Sequence, residues 1–168
     1  VVQSGKLGKL LVSRALCYKP RGSIGIKPIA TPTAEVDFNV WLGPAPQQAY
    51  HANLVHYNWH WFWDFGNGDI GNQGVHQMDV ARWLIPGANG QSATYPKTVL
   101  SLGGRFGYRD QGQTANTQIS VMDFGDAQLI FEVRGLKTGG YHGEKVGNIA
   151  HLEEGTISSK ATLRPTAY

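Results

Sequence analysis

The stretch from residue 117 to residue 134 constrains the fold most. Ala127, Leu129, Phe131 and Val133 alternate with Gln128, Ile130, Glu132 and Arg134. Side chains of an extended chain point to opposite faces with a period of two, so this segment presents one apolar face that needs a core. Thr117 to Phe124 is a second extended run before it, and Gly125-Asp126 supplies the tight turn of a hairpin between them. A hairpin is marginal alone in water, so further strands and a covering layer must exist.

The chain supplies both. Lys9 to Tyr18 is apolar at most positions and reads as a strand covered on both faces, ended by Pro20 and Gly22. Lys97 to Arg105, Val146 to Ala150 and Gly155 to Leu163 read as further strands. One helix stands out over Gln73 to Ile85. Its apolar residues Val75, Met78, Val80, Ala81, Leu84 and Ile85 occupy much of the circumference, which predicts a buried helix, and Pro86-Gly87 stops it. Val36 to Leu42 is a short extended or helical piece, and Pro46 to Asn53 is expected to start a helix. The fold class is therefore α+β: a large, mostly antiparallel open sheet with one face covered by helices. The 168 residues fit a single domain, 1–168.

Composition excludes several classes. Hydrophobic residues are 41% and charged residues 16%, a globular balance rather than a disordered one. No apolar run approaches the ~20 residues of a membrane helix, and no membrane partner is expected. Cys17 is the single cysteine, so neither an internal disulfide nor a thiolate metal cage is available, and the redox compartment stays open. Lys6, Lys9, Arg14, Lys19, Arg21 and Lys27 all precede the first acid, Glu35. They are read as lining the solvent face of a strand and its turn; they do not continue as a stripe, so no nucleic-acid partner is expected.

The chemistry concentrates between Asn58 and Trp83, which hold four of the five tryptophans. Gly66-Asn67-Gly68-Asp69-Ile70-Gly71 satisfies G-x-G-x-x-G. A dinucleotide site also needs a preceding aliphatic strand and an acid about 20 residues on. Here Trp, His and Asp precede it, and the next acid after Asp79 is Asp110, so the glycines are read as close backbone approach. Asn72, His76, Asp79 and Trp83 are spaced by four, three and four along one helical stripe. Two readings stand. In one, Asn72 is an N-cap and His76 a satisfied core histidine paired with Asp79. In the other, His76 is a general acid/base, suited to proton transfer near neutral pH. His51, His56 and His60 raise a metal-dependent hydrolase, but no H-E-x-x-H pattern accompanies them and no metal is assigned. Trp59, Trp61 and Trp63 would share one face if extended, as core, subunit interface or sugar platform. Asp123-Phe124-Gly125 spells the kinase D-F-G without its companions and is read as a hairpin turn.

Gly66-x-Gly68-x-Ile70-x-Asn72-x-Gly74-x-His76-x-x-Asp79 resembles the G-G-G-x-L-x-D-x-G-x-H-x-x-D signature of the glucose–fructose oxidoreductase / inositol dehydrogenase (Gfo/Idh/MocA) family. Ser4-Gly5-Lys6-Leu7-Gly8-Lys9 is similar to that family's entry into its C-terminal domain. Tyr18 to Gly25 and Lys145 to Ile149 resemble one secreted-type bacterial branch. The resemblance covers nearly the whole chain.

The resemblance implies a C-terminal substrate-binding domain whose N-terminal Rossmann half, which binds NAD or NADP, is absent here, the chain being truncated at both ends. It implies oxidation or reduction of a carbinol carbon of a sugar, polyol or related compound, with His76 as general acid/base. It also implies a homo-oligomer formed through the sheet. On this reading His76 and Asn72 are catalytic, and Asp79, Trp59, Trp61, Trp63 and His60 bind a carbohydrate-like substrate. Two departures stand out. Asn72 occupies the family's aspartate position, and an amide orients a hydroxyl without taking its proton. The family's E-K-P lysine is missing; Lys19, in Tyr18-Lys19-Pro20-Arg21, lies beyond its place. The fragment alone is expected to be inactive. The alternative is a non-catalytic carbohydrate-binding or scaffold module.

Overall fold

A computed structural model of the chain describes residues 1–87, 95–160 and 163–165. Its strands are Leu10–Cys17 (β1), Thr98–Gly104 (β2), Thr117–Asp123 (β3), Gln128–Arg134 (β4), Val146–Leu152 (β5), Gly155–Ser158 (β6) and Leu163–Pro165 (β7). They form one open seven-stranded sheet in the order β2-β3-β4-β1-β5-β6-β7. Only the β1–β4 pair is parallel; every other neighbouring pair is antiparallel. The helices are Phe38–Leu42 (α1), Asp69–Asn72 (α2) and Gly74–Leu84 (α3), all lying between β1 and β2 in the chain.

The hairpin alternation decides where the core sits. Ala127, Leu129, Phe131 and Val133 are buried and join Ala15, Cys17, Ala150 and Leu152 of the neighbouring strands in one apolar cluster. Ala81 and Ile85 complete it from the helical side, where α3 crosses β1, β4 and β5. Burial of each large side chain in this layer contributes roughly 1.5–3 kcal/mol. Two buried polar groups pin the helix to the sheet. Ser13 Oγ donates to Ala81 O at 2.9 Å, and Asn148 Nδ2 donates to Gln77 O at 2.7 Å. Gly125 turns the hairpin at φ 94°, and its N–H is accepted by Asp123 Oδ1 at 2.8 Å. The opposite face of the sheet has a smaller apolar cluster of Leu16, Tyr18 and Ile149 beneath Tyr141, so β1 is covered on both faces. No described helix is long and apolar enough to cross a membrane.

Three expectations are corrected. Helix α3 is not buried all round, because Val75, His76, Asp79, Val80 and Trp83 are exposed. The sheet lies on one side only, and apolar residues on the outer side produced the circumferential pattern. No helix forms over 46–53. There the backbone is taken by long-range pairing: Ala30 N–H donates to Tyr50 O at 3.0 Å, and Ile29 bridges His51. This tertiary pairing overrides local helix propensity. Finally, the extended run expected from Gly155 to Leu163 is interrupted by a turn at Ser159-Lys160, with residues 161 and 162 outside the described set.

Candidate functional site

The site grows from an ion pair that joins the turn after β1 to the start of α2. Asp69 stands in the first turn of α2, where a helix N-terminus favours a negative charge. Its side chain is 2% exposed. Arg21 grips it with both prongs of the guanidinium, Nε to Oδ2 at 3.0 Å and Nη2 to Oδ1 at 2.7 Å. Arg21 also donates to the Tyr57 hydroxyl at 3.1 Å and lies 5.2 Å over the Trp61 ring. The hydrogen bonds to Asp69 push the guanidinium pKa further up. Asn72 adds a bond from Nδ2 to Asp69 Oδ1 at 3.3 Å. Arg21 therefore does not line a solvent face, as its place in the basic N-terminal segment suggested. No local pattern announces the pairing, because its two partners are 48 residues apart in the chain.

The glycines around this pair serve packing. A Cβ on Gly66 would lie 2.9 Å from the His60 backbone, and one on Gly74 would lie 2.6 Å from Phe131 Cζ. A 3₁₀ turn over Asn58–Trp61 precedes the glycines, not a strand. Gly68 is closed by Thr114, whose buried hydroxyl has no hydrogen-bond partner. The loop thus lacks the preceding strand of a dinucleotide fingerprint, and Gly66 and Gly68 are explained by close packing. Asn72 is the last residue of α2 rather than the N-cap of α3; Gln73 holds that position without a side-chain cap.

The aromatic run folds around the same loop. A cleft of about 490 Å³ is walled by Trp41, Trp59 and Phe65 with Asp64 at its edge. A recess of about 240 Å³ shares Trp59 and Phe65 and reaches His60, Asn67 and Asn72. His60 stacks on Trp59 with ring centroids 3.7 Å apart, and its Nδ1 contacts Tyr57 O at 2.5 Å. Trp59, Trp61 and Trp63 do not share a face. The 3₁₀ turn spreads them: Trp61 is 5% exposed beneath Arg21, Trp59 lines the cleft, and Trp63 is 61% exposed outside it.

His76 lies one helical turn beyond Asn72, exposed, with no side-chain partner among the described residues. Asp79 is not its partner; it pairs with Arg82 at 3.1 Å on the surface. The stripe thus places Asn72 in the recess and His76 on the open face of α3. No three His, Cys, Asp or Glu side chains among the described residues converge as metal ligands, so His51, His56 and His60 do not form a centre. Burial, then the Asp69 charge, push the Cys17 thiol up to about 12, which leaves no thiolate nucleophile. Aromatic walls beside an amide and a carboxylate suit a small molecule with apolar and hydroxyl faces.

Residues 4–99, more than half of the chain, match the model described as "Oxidoreductase family, C-terminal alpha/beta domain" of the Gfo/Idh/MocA group. No curated protein matches by sequence. Among solved structures the fold is similar to that of the WlbA dehydrogenase from Bordetella pertussis in complex with NADH and UDP-GlcNAcA. The TM-score is 0.50 at 13% identity, over 94% of this chain and 36% of that one. The present chain thus spans about a third of that dehydrogenase's length. With its open sheet, its loop-to-helix motif and that family match, the chain belongs to the Gfo/Idh/MocA oxidoreductases, as their C-terminal α/β domain.

Proposed function

We propose that this domain binds the substrate of, and supplies the proton-transferring residue to, an NAD- or NADP-dependent oxidoreductase acting on a sugar, polyol or related hydroxyl compound. The observation that carries the reading is His76: an exposed imidazole without a side-chain partner among the described residues, one turn from an amide that lines an aromatic recess. A bound nicotinamide would supply the hydride acceptor, held by sequence outside this chain, since the Gly66–Gly71 loop lacks the preceding strand of a dinucleotide site. The His76 ring would take up the proton of the reacting hydroxyl. Asn72, steadied by Asp69, orients that hydroxyl, and Trp59 with Phe65 shields the reacting face from water. Exposed Leu100, Leu102 and Ile119 on the open sheet face support a homo-oligomer through the sheet.

The test is steady-state kinetics of the longer protein that carries this domain, with NAD and NADP against a panel of sugars and polyols. His76→Ala should lower kcat roughly 10²–10⁴-fold with KM little changed. Unaltered turnover in that variant overturns the role. A second reading, a carbohydrate-binding module without catalysis, is favoured by the Trp41–Trp59–Phe65 cleft, whose lining does not include His76. It predicts sugar binding with no turnover under any cofactor.

A further inference from the structure

The sheet face turned away from α3 carries a group of residues that the site above does not use. On this face β1 presents Arg14 and β5 presents His151; Arg14 pairs with Ile149 and Val12 with His151, so the two side chains are diagonal neighbours. The loop leading into β5 adds Tyr141 and His142. The His142 and His151 ring centroids are 5.6 Å apart, and the Arg14 guanidinium lies 5.0 Å from the Tyr141 ring centre.

Three polar atoms in this group are buried without a partner: Arg14 Nε, His142 Nδ1 and His151 Nε2. Among the described residues only two other buried side-chain atoms are in that state, His51 Nδ1 and Thr114 Oγ1. Unpaired buried polar atoms are costly, and three gathered in one place point to a missing partner. The partner that Arg14 Nε lacks is an acceptor. His151 Nδ1 meets Thr156 Oγ1 at 3.2 Å; where that hydroxyl donates to the ring, Nε2 carries the ring hydrogen and donates. Arg14 can only donate. Lys160 Nζ, on Gly143 O at 2.8 Å, adds a further positive charge beside the turn. The neighbouring carboxylates are engaged elsewhere: Glu132 accepts from Tyr18 and Arg134, and Glu144 accepts from Lys160 N–H. A cation is disfavoured in such surroundings.

The backbone gives an independent sign. Tyr141 and Glu144 exchange N–H···O bonds of 2.8 and 2.9 Å around a two-residue turn. Both central residues have positive φ, 49° at His142 and 83° at Gly143. Such a turn favours Asn or Gly at its first central position. His142 is kept there against that preference, and its ring is delivered to His151.

We propose that Arg14, His142 and His151 form an anion site that accepts a carboxylate or phosphoryl group. Its occupant is a free small anion or a carboxylate from a second copy of this chain, since both offer the same oxygens.

The test uses the native-length protein and inorganic phosphate, with chloride at equal ionic strength as reference. Histidine ring resonances are followed by NMR, and molecular mass by sedimentation. Phosphate should move the His142 and His151 signals saturably. His142→Gly suits the turn better than the native residue, so it should stay folded while weakening phosphate binding roughly tenfold or more. Arg14→Met, which keeps an apolar stem against Tyr141, should do the same. If phosphate binds with no change in mass, the occupant is a free anion. If phosphate dissociates an oligomer that Arg14→Met also weakens, the occupant is the second copy's carboxylate. The proposal is overturned if the two histidines ignore phosphate, if His142→Gly binds it as the native protein does, or if they take up zinc stoichiometrically instead.

Discussion

Removing the Asp69 carboxylate tests whether the Arg21 pair holds the motif loop. The Asp69 side chain is 2% exposed and that of Arg21 is 14% exposed, so truncating either leaves a nearly buried partner uncompensated. Breaking such a pair costs about 3–5 kcal/mol. Residual solvent at Arg21 and its remaining bond to Tyr57 argue for the lower end, about 3 kcal/mol. For a chain of this size each kcal/mol moves Tm by about 2–4 °C, so Asp69→Ala should melt on the order of 6–12 °C below the native protein. Arg21→Ala should lose a similar amount. Because each single change already destroys the pair, the double variant should fall short of additivity by about 1–3 kcal/mol. Thermal and urea unfolding of all four proteins, followed by circular dichroism, gives that coupling directly. Losses that add to within about 0.5 kcal/mol mean the two groups do not act on each other, and the account of how Asn72 is held fails with them.

Two other outcomes follow from the same geometry. Gly74→Ala places a methyl 2.6 Å from Phe131 Cζ, and Phe131 is fully buried. Overpacking of about 1–3 kcal/mol should outweigh the helix-propensity gain of at most ~1 kcal/mol, giving a lower Tm in calorimetry; a Tm at or above the native value refutes the contact. Burial lowers the pKa of both His51 and His151, and Arg14 and His142 lower that of His151 further. The unfolded chain then binds more protons than the folded one once pH falls below about 6.5. Stability should therefore be full above that pH and decline through it toward the folded pKa values. His151→Gln should flatten the decline in a series of melting curves from pH 8 to pH 5, and an unchanged pH slope would count against the burial argument.

Local pattern carried the hairpin because its information is local. The alternation of Leu129, Phe131 and Val133, with Gly125 at the turn, fixes which face is buried without reference to anything distant. The stop of α3 before Pro86-Gly87 is local in the same way. The extent of α3's burial was not, because an apolar stripe is the same string of letters whether a second layer covers it or not. Trp59, Trp61 and Trp63 show the same limit: their alternation means a shared face only in an extended chain, and the chain turns there.

The sequence by itself determined the strand faces, the hairpin, the helix that bears His76 and the family signature around it, since each depends on spacing within a few residues. Tertiary structure alone decided that Arg21 reaches Asp69 across 48 residues, that Thr114 and the His60 backbone pack against the glycine loop, and that Arg14 comes beside Tyr141 and His142 beside His151 across two strands and a turn. These contacts are made by loop closure and strand register, and both are set by the packing of the whole sheet rather than by any one segment of the chain.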